Sequence, residues 1–470
     1  MVKFGIGQAV RRVEDRRFLT GHGRYVDDIH LPGMAHGITV LSTQPHARIR
    51  RIDAAKARSA PGVLLVLTGA DFQREKLGAI TAHLMPEDFG APKGYRTFQP
   101  LLCIDTVRCV GDRVAFVVAE TQEQARDAAE LVEIQYEPLP VIVDIEDATS
   151  DGAAKVWPDN ASGNIAFRLM FGDKQATDAA FATAKHVVKL RVENNRVSPA
   201  AMEPRVAIGD YNVADNFYTL YTASQNPHGV RSEMSHIFHV PENRIRVVAP
   251  DVGGGFGLKS NAFPDDALVL WASRKLSRPV KWVATRSEGL LTDHHGREMV
   301  YFGELALDEQ GKILGLRSKS LFQMGAYFVT AALAAGAMSI RFVPEAYDIP
   351  AMHLTSEGVF TNTSQSGPYR GAGRPEAAYF MERLIEHAAR VTGIDRLEIR
   401  RRNLIPPEKL PYTTPTHWIY DSGEFVRLLE KCIENSDWKN YDTRKRHSEK
   451  KGMLRGRALS YYIEFGGVFN

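Results

Sequence analysis

Apolar and polar positions change period several times along the chain. In the first ~140 residues, short apolar runs at 34–42 and 63–68, bounded by Gly, Pro or Asp, predict strands. Residues 110–119 (VGDRVAFVVA) predict a further strand. Thr121, with Gln124 three residues on, then predicts a capping box. The helix it opens carries the stripe Ala125, Ala128, Ala129, Val132, and EPLP at 137–140 closes this unit. Residues 151–164 have no period, are rich in Gly, Asp, Asn, Ser and Ala, and predict a linker. A second α/β region follows, with strands at 185–192, 217–223, 244–249 and 281–284 and helices at 227–238 and 261–276. Residues 303–322 predict a hairpin turned by Glu309-Gln310-Gly311, and 329–338 a buried helix. A helix over 375–392 is predicted by Ala378, Met381, Leu384, Ile385 and Ala388. Charge dominates 444–457, predicting a second linker or exposed turn, and 458–465 predict a new strand. The fold class is therefore α+β, a mixture of α/β units.

Composition narrows the function classes. A chain of 470 residues predicts two to four domains, with 44% apolar and 24% charged residues. A net charge of +3 supplies no global argument for nucleic acid or a membrane surface. The basic run 444–457 holds seven Lys or Arg but no interleaved aromatics, which favours a solvated segment over nucleic-acid binding. Cys103, Cys109 and Cys432 form no Cys-x-x-Cys pair and are too few for a four-cysteine iron–sulfur cluster. They point to a reducing compartment, and a cytoplasmic location is expected. The N-terminal stretch lacks a secretory apolar core, and no run is long enough for a membrane span. His294-His295 lacks the spacing of a metal site, and no direct metal ligand is expected.

The chemistry concentrates in residues 251–259, DVGGGFGLK, between a predicted strand and a predicted helix. Glycines there let a backbone approach a ligand, and exposed N–H groups suit an anion such as phosphate. A nucleotide P-loop is excluded because Leu258 stands where glycine must precede Lys259. The dinucleotide fingerprint starting at Gly253 fails at the same position.

DVGGGFGLK resembles the GGGFG loop of the molybdenum hydroxylases, the xanthine dehydrogenase, aldehyde oxidase and carbon monoxide dehydrogenase large-subunit family. The resemblance implies that Gly254, Gly255, Phe256 and Gly257 touch a molybdopterin cofactor and that Phe256 lies over the substrate pocket. Residues 224–231 (SQNPHGVR) resemble the loop whose glutamine amide bonds an oxo ligand of molybdenum, here Gln225; a helix-capping loop is the competing reading. Residues 366–377 (SGPYRGAGRPEA) resemble the substrate-pocket motif, with Arg370 as the substrate or transition-state residue and a cofactor contact. A Gly-rich turn before a Pro-started helix fits the same residues. Arg400, in EIRRRNL at 398–404, is a candidate cofactor contact or a solvated helix end. Glu203, in MEPR at 202–205, is a candidate substrate contact or one half of a surface ion pair. Ser260 falls where purine-oxidising members carry glutamate, and Gly371 where carbon monoxide-oxidising members carry a copper-binding cysteine.

Residues 12–29 and 120–140 are similar to the family's α/β hammerhead domain, so the resemblance runs from about residue 10 to 465. It implies a hammerhead over 10–145, a first molybdopterin-binding domain over 160–440, and the start of an incomplete second cofactor domain over 455–470. The general base, a glutamate of that second domain, is expected outside this chain. The implied cofactor is molybdopterin with molybdenum, in its cytosine dinucleotide form, without iron–sulfur or flavin in this chain. The implied partners are an iron–sulfur subunit and an FAD subunit, with a small-molecule substrate and no nucleic acid. The implied activity is oxidative hydroxylation of aldehydes or N-heterocycles. Competing expectations are a half-subunit completed by a separately encoded C-terminal half, a non-catalytic relic, and a binding module for another phosphate-bearing ligand.

Overall fold

The computed structural model describes residues 8–464. Its centre is a seven-stranded mixed sheet. In spatial order the strands are Ile245–Val248, Phe217–Thr222, Val206–Asn212, Val280–Val283, Ala35–Leu41, Arg113–Ala119 and Val63–Thr68. Every residue of Arg113–Ala119 is buried, as an unbroken apolar run demands of a strand covered on both faces. Strands of the predicted N-terminal and second regions therefore share this sheet. Ala35–Leu41 pairs in parallel with Val280–Val283, Ala35 lying opposite Val280.

A second sheet has five strands, ordered Ile165–Gly172, Met352–Phe360, Ile313–Gly325, Gly296–Leu307 and His186–Val197. Its hairpin is longer than the sequence predicts. Asp308 Oδ1 closes the turn by accepting the N–H groups of Gln310 (2.9 Å) and Lys312 (2.8 Å). The helix Arg374–Thr392 covers this sheet, with Phe380 stacked on Tyr301 at 4.5 Å and 10°. No helix among the described residues is long and apolar enough to cross a membrane.

Several boundaries differ from the sequence expectation. The helix expected from 261 starts at Pro264, because Asp266 caps it by accepting the Phe263 N–H (2.9 Å); a short turn, Leu258–Ser260, precedes it. The buried helix expected at 329–338 lies at Ala332–Arg341. Residues 151–164 contain no helix or strand but are not a free linker. Val156 is buried, Asn164 bonds three backbone groups, and the Trp157 indole donates to Ala326 O (2.8 Å). Residues 444–457 are not a linker either. The helix Tyr441–Glu449 takes their first half, and Arg457 folds back over the rings of Trp438 and Tyr441. The strand expected at 458–465 is absent through Glu464, and Phe465 lies outside the described residues. Those residues form a strap without a strand partner, held by side chains instead. Tyr461 Oη donates to Phe425 O (2.9 Å), and Ile463 N donates to Glu345 Oε2 (2.8 Å).

Candidate functional site

The glycine loop leaves the strand Ile245–Val248 and is tied at its base to the N-terminal segment. Asp251 accepts the Arg24 N–H (2.7 Å), pairs with Arg17, and donates its own N–H to Arg24 O. Four anchors then shape the loop. Gly253 N donates to Glu203 Oε2 (2.8 Å). Glu203 N donates to Gly253 O (3.0 Å). Gly257 N donates to Gln225 Oε1 (2.8 Å). Gln225 N donates to Lys259 O (2.8 Å). Gly254, Phe256 and Gly257 all have positive φ, and a Cβ on Gly255 would collide with the Gln225 amide. The N–H groups of Gly254, Gly255 and Phe256 have no acceptor among the described residues. Three adjacent free donors on a tightly turned backbone form a nest for an anion or an oxygen-rich group.

One predicted side chain, Gln225, and the main chain of a second predicted residue, Arg370, bond to this loop. With Oε1 taken by Gly257, the Gln225 Nε2 end is left as an exposed donor, so the amide orientation is set by the loop itself. Arg370 N donates to Phe256 O (2.9 Å), which brings the 366–377 motif against the loop. Arg297 supports that motif from behind. Its guanidinium donates to Tyr369 O (3.1 Å), Arg370 O (2.8 Å) and Glu376 Oε1 (3.0 Å), and lies over the Tyr369 ring. The Arg370 side chain is exposed and pairs with no carboxylate among the described residues. Phe256 is 41% exposed. Gly371 adopts φ +98°, and a Cβ there would run into the Pro375 ring. Ser260 sits at the end of the loop turn, its N–H bonded to Gly257 O (3.2 Å).

The remaining two candidates stand otherwise. Glu203 is neither a surface ion pair nor an open side chain: Oε2 is shared between Gly253 N–H and Lys259 Nζ (2.9 Å), in a pair almost wholly removed from water. Arg400 is fully buried, and it is spent inside the chain rather than at the loop. Nε and Nη2 grip Glu382 Oε2 (3.1 and 2.8 Å), and Nη1 donates to Arg396 O (2.8 Å). Glu382 in turn accepts the Tyr347 hydroxyl. With Nη2 also 3.5 Å from Leu459 O and Nη1 3.6 Å from Glu386 Oε2, the Arg400 guanidinium faces partners within the chain, against the expected cofactor contact.

Sequence reading also missed a charged hub beneath the loop. Asp265 is gripped by Arg113 (Nε–Oδ1 2.8 Å) and Arg205 (Nη1–Oδ2 2.6 Å). Arg205 also binds Asp293 (2.6 Å) and Thr292 (2.6 Å), and lies over the Phe263 ring at 4.1 Å. His294, read from sequence as unsuited to metal, packs on Phe263 at 4.7 Å in this core. Burial, then Arg205 and Arg113, push its pKa down to about 3. Burial pushes Asp266 up to about 6. The signs oppose. His294 binds its proton more readily unfolded, so its contribution is present above pH ~6.5 and falls as pH drops toward 3. Asp266 binds its proton more readily folded, so its contribution rises as pH drops from about 6 toward 4. The two slopes cancel between about pH 4 and 6, and Asp266→Asn unmasks the histidine. The variant's melting temperature is expected to fall more steeply than wild type on acidification across that window. Parallel curves would show that Asp266 is ionised in the fold.

Comparison with known proteins fits this geometry. Residues 157–404 match the family model of the molybdopterin cofactor-binding domain, and residues 20–140 that of the aldehyde oxidase and xanthine dehydrogenase a/b hammerhead domain. The chain is 38% identical to the carbon monoxide dehydrogenase large chain of Afipia carboxidovorans, over 99% of this chain and 58% of that one. It superposes on quinoline 2-oxidoreductase from Pseudomonas putida 86 with a TM-score of 0.88 at 35% identity, covering 95% of this chain and 56% of that one. The chain thus spans little more than half the length of these relatives. A shorter relative, the nicotinate dehydrogenase large molybdopterin subunit of Eubacterium barkeri, is 26% identical over 85% of this chain and 89% of its own length.

Proposed function

Because this chain belongs to the molybdopterin cofactor-binding family of molybdenum hydroxylase large subunits, we propose that its glycine loop, Gln225 and Arg370 form one wall of a cofactor and substrate site. The reaction proposed is hydroxylation of an aldehyde or N-heterocycle at the carbon next to the heteroatom. The observation that carries this reading is the convergence of three distant segments, Arg370 N on Phe256 O and Gly257 N on Gln225 Oε1. The residues present fit the cofactor's chemistry. The free N–H groups of Gly254, Gly255 and Phe256 suit anionic oxygens, and Gln225 Nε2 offers a donor without charge.

The molybdenum cofactor, when bound, supplies two-electron oxidation of carbon with oxygen from water. Gln225 orients by donating from Nε2. Phe256 covers the site with an exposed ring. Arg370 stabilises negative charge developing on the substrate heteroatom, with its main chain held by Arg297 and Phe256. Iron–sulfur and FAD subunits accept the electrons, and the cofactor is the cytosine dinucleotide form in a cytoplasmic assembly. The domain boundaries proposed are a hammerhead over 10–145, a first cofactor unit over 160–440 and the start of a second cofactor unit over 455–470.

Gly371 and Ser260 narrow the substrate. A cysteine at 371 would need both a rearranged backbone and a displaced Pro375, so carbon monoxide chemistry is not supported. Ser260 lacks the carboxylate expected for purines. In the assembled enzyme with an artificial electron acceptor, at least one aldehyde or N-heterocycle such as quinoline should turn over faster than xanthine. Carbon monoxide should not react. Xanthine as the best substrate would overturn the role of Ser260, and carbon monoxide oxidation that of Gly371.

The 470 residues by themselves are expected to hold little or no molybdenum, because they span little more than half the length of the relatives they match; stoichiometric molybdenum in them alone would overturn this.

A further inference from the structure

The strand–loop junction contains an ion pair that the catalytic reading does not use. Lys259, the last residue of the loop, is almost fully buried; its ammonium donates to Glu203 O (2.8 Å) and Glu203 Oε2 (2.9 Å). Glu203 is bonded through both its backbone and its carboxylate to Gly253, the first glycine. One residue therefore grips both ends of the loop. Burial pulls the Lys259 ammonium below the usual lysine range, and Glu203 opposes that fall. Glu203 Oε1 has no hydrogen-bond partner although it is buried.

Stability alone does not account for such a pair. Burying two charges costs several kcal/mol each before their attraction offsets it, and apolar replacement of a buried pair is often neutral or stabilising. What the pair supplies is a defined loop and a neutral background. The carboxylate is bonded to Gly253 N, one residue before the Gly254–Phe256 nest, where an uncompensated negative charge would repel an anion. Lys259 cancels it.

We propose that Lys259 and Glu203 are positioning residues for the cofactor loop. Together they hold the nest's N–H groups outward and neutralise the charge behind them. The geometric part concerns the loop itself, whereas the charge part rests on the reading of the loop as a cofactor site.

The two parts separate experimentally. Amide hydrogen exchange of the folded 470-residue chain reads the first. Peptides spanning 251–260 should exchange on the order of ten-fold faster in Lys259→Met than in wild type, while peptides from Arg113–Ala119 stay unchanged. Unchanged loop exchange in a folded variant overturns the positioning role. If Lys259→Met does not fold, Glu203→Ala, which removes the carboxylate's bonds to Gly253 N and Lys259 while keeping the Lys259 bond to Glu203 O, takes its place under the same criterion.

Molybdenum and pterin content of the assembled enzyme reads the second part. The expected order is wild type and Glu203→Gln highest, the double variant Lys259→Met/Glu203→Gln intermediate, and Lys259→Met lowest by about ten-fold. A purely structural role makes the double variant no better than Lys259→Met, and that order overturns the charge argument. Loosened exchange with full cofactor content in every variant would leave the positioning intact and overturn the loop's reading as a cofactor site.

Discussion

Replacing Arg370 with methionine in the assembled enzyme will lower turnover by about 10²–10³ while cofactor content and melting temperature stay at wild-type values. The separation follows from how the residue is mounted. Its main chain is held by the Phe256 carbonyl and by Arg297, and neither bond involves the Arg370 side chain. The guanidinium is exposed and takes part in no ion pair among the described residues, so removing it leaves no stranded partner. A cation mounted beside the loop by its main chain acts on catalysis only when charge develops on a bound molecule, which places the expected loss in kcat. Arg370→Lys should recover part of the rate, because charge remains but the planar fork does not. A loss confined to KM, or wild-type turnover in Arg370→Met, would remove Arg370 from the proposed chemistry.

Arg205→Met will cost about 3–5 kcal/mol of stability, the usual consequence of stranding a buried ionic partner. The substitution leaves Asp293 without its guanidinium and Asp265 with Arg113 alone. An exposed pair such as Arg427–Glu424 provides the contrast, and Arg427→Ala should change stability by at most about 0.5 kcal/mol. Denaturant unfolding of both variants checks the difference. The hub also sets an acid limit. Burial alone would raise the Asp265 carboxyl, but Arg113 and Arg205 hold it well below the usual carboxylate range. Its contribution is therefore complete above the ordinary carboxylate pKa and is lost as pH falls below it. Wild type should lose stability on strong acidification, and Asp265→Asn should lose less over that range.

Elements with strong periodicity were legible from sequence alone. The Thr121–Gln124 cap, the Asn226-Pro227 helix start and the 375–392 stripe all stand within a residue or so of their predicted places. The glycine loop and the motif around Arg370 were legible because several unusual residues fall close together there. Burial of charged side chains was not legible. Arg400 and Arg401 are neighbours in one basic run, yet only Arg400 points inward to Glu382, and nothing in EIRRRNL distinguishes them. Lys259 was read only as the lysine of a P-loop pattern that fails at Leu258. A lysine closing a glycine-rich, otherwise apolar segment was the available signal that a buried acidic partner was needed. The hub could not be inferred, because Arg113, Arg205, Asp265 and Asp293 come from four separate segments and meet only in the folded sheet. Residues 151–164 and 444–457 misled in a similar way. Their polarity reflects side chains that bond local backbone or pair on a helix rather than a lack of structure.

The central sheet has a consequence for how the molecule is made. Ala35–Leu41 leaves the ribosome early, but the neighbour that covers one of its edges, Val280–Val283, is synthesised roughly 250 residues later. At typical elongation rates of 5–20 residues per second, that edge stays open for about 10–50 s. During the interval the hammerhead strands present unpaired N–H and C=O groups to any other nascent chain. A fragment that stops before residue 280 keeps that edge permanently. The hammerhead is accordingly a poor candidate for expression by itself, however clearly its sequence is delimited, and cellular yield of the whole chain should respond to chaperones that shield early-emerging strands.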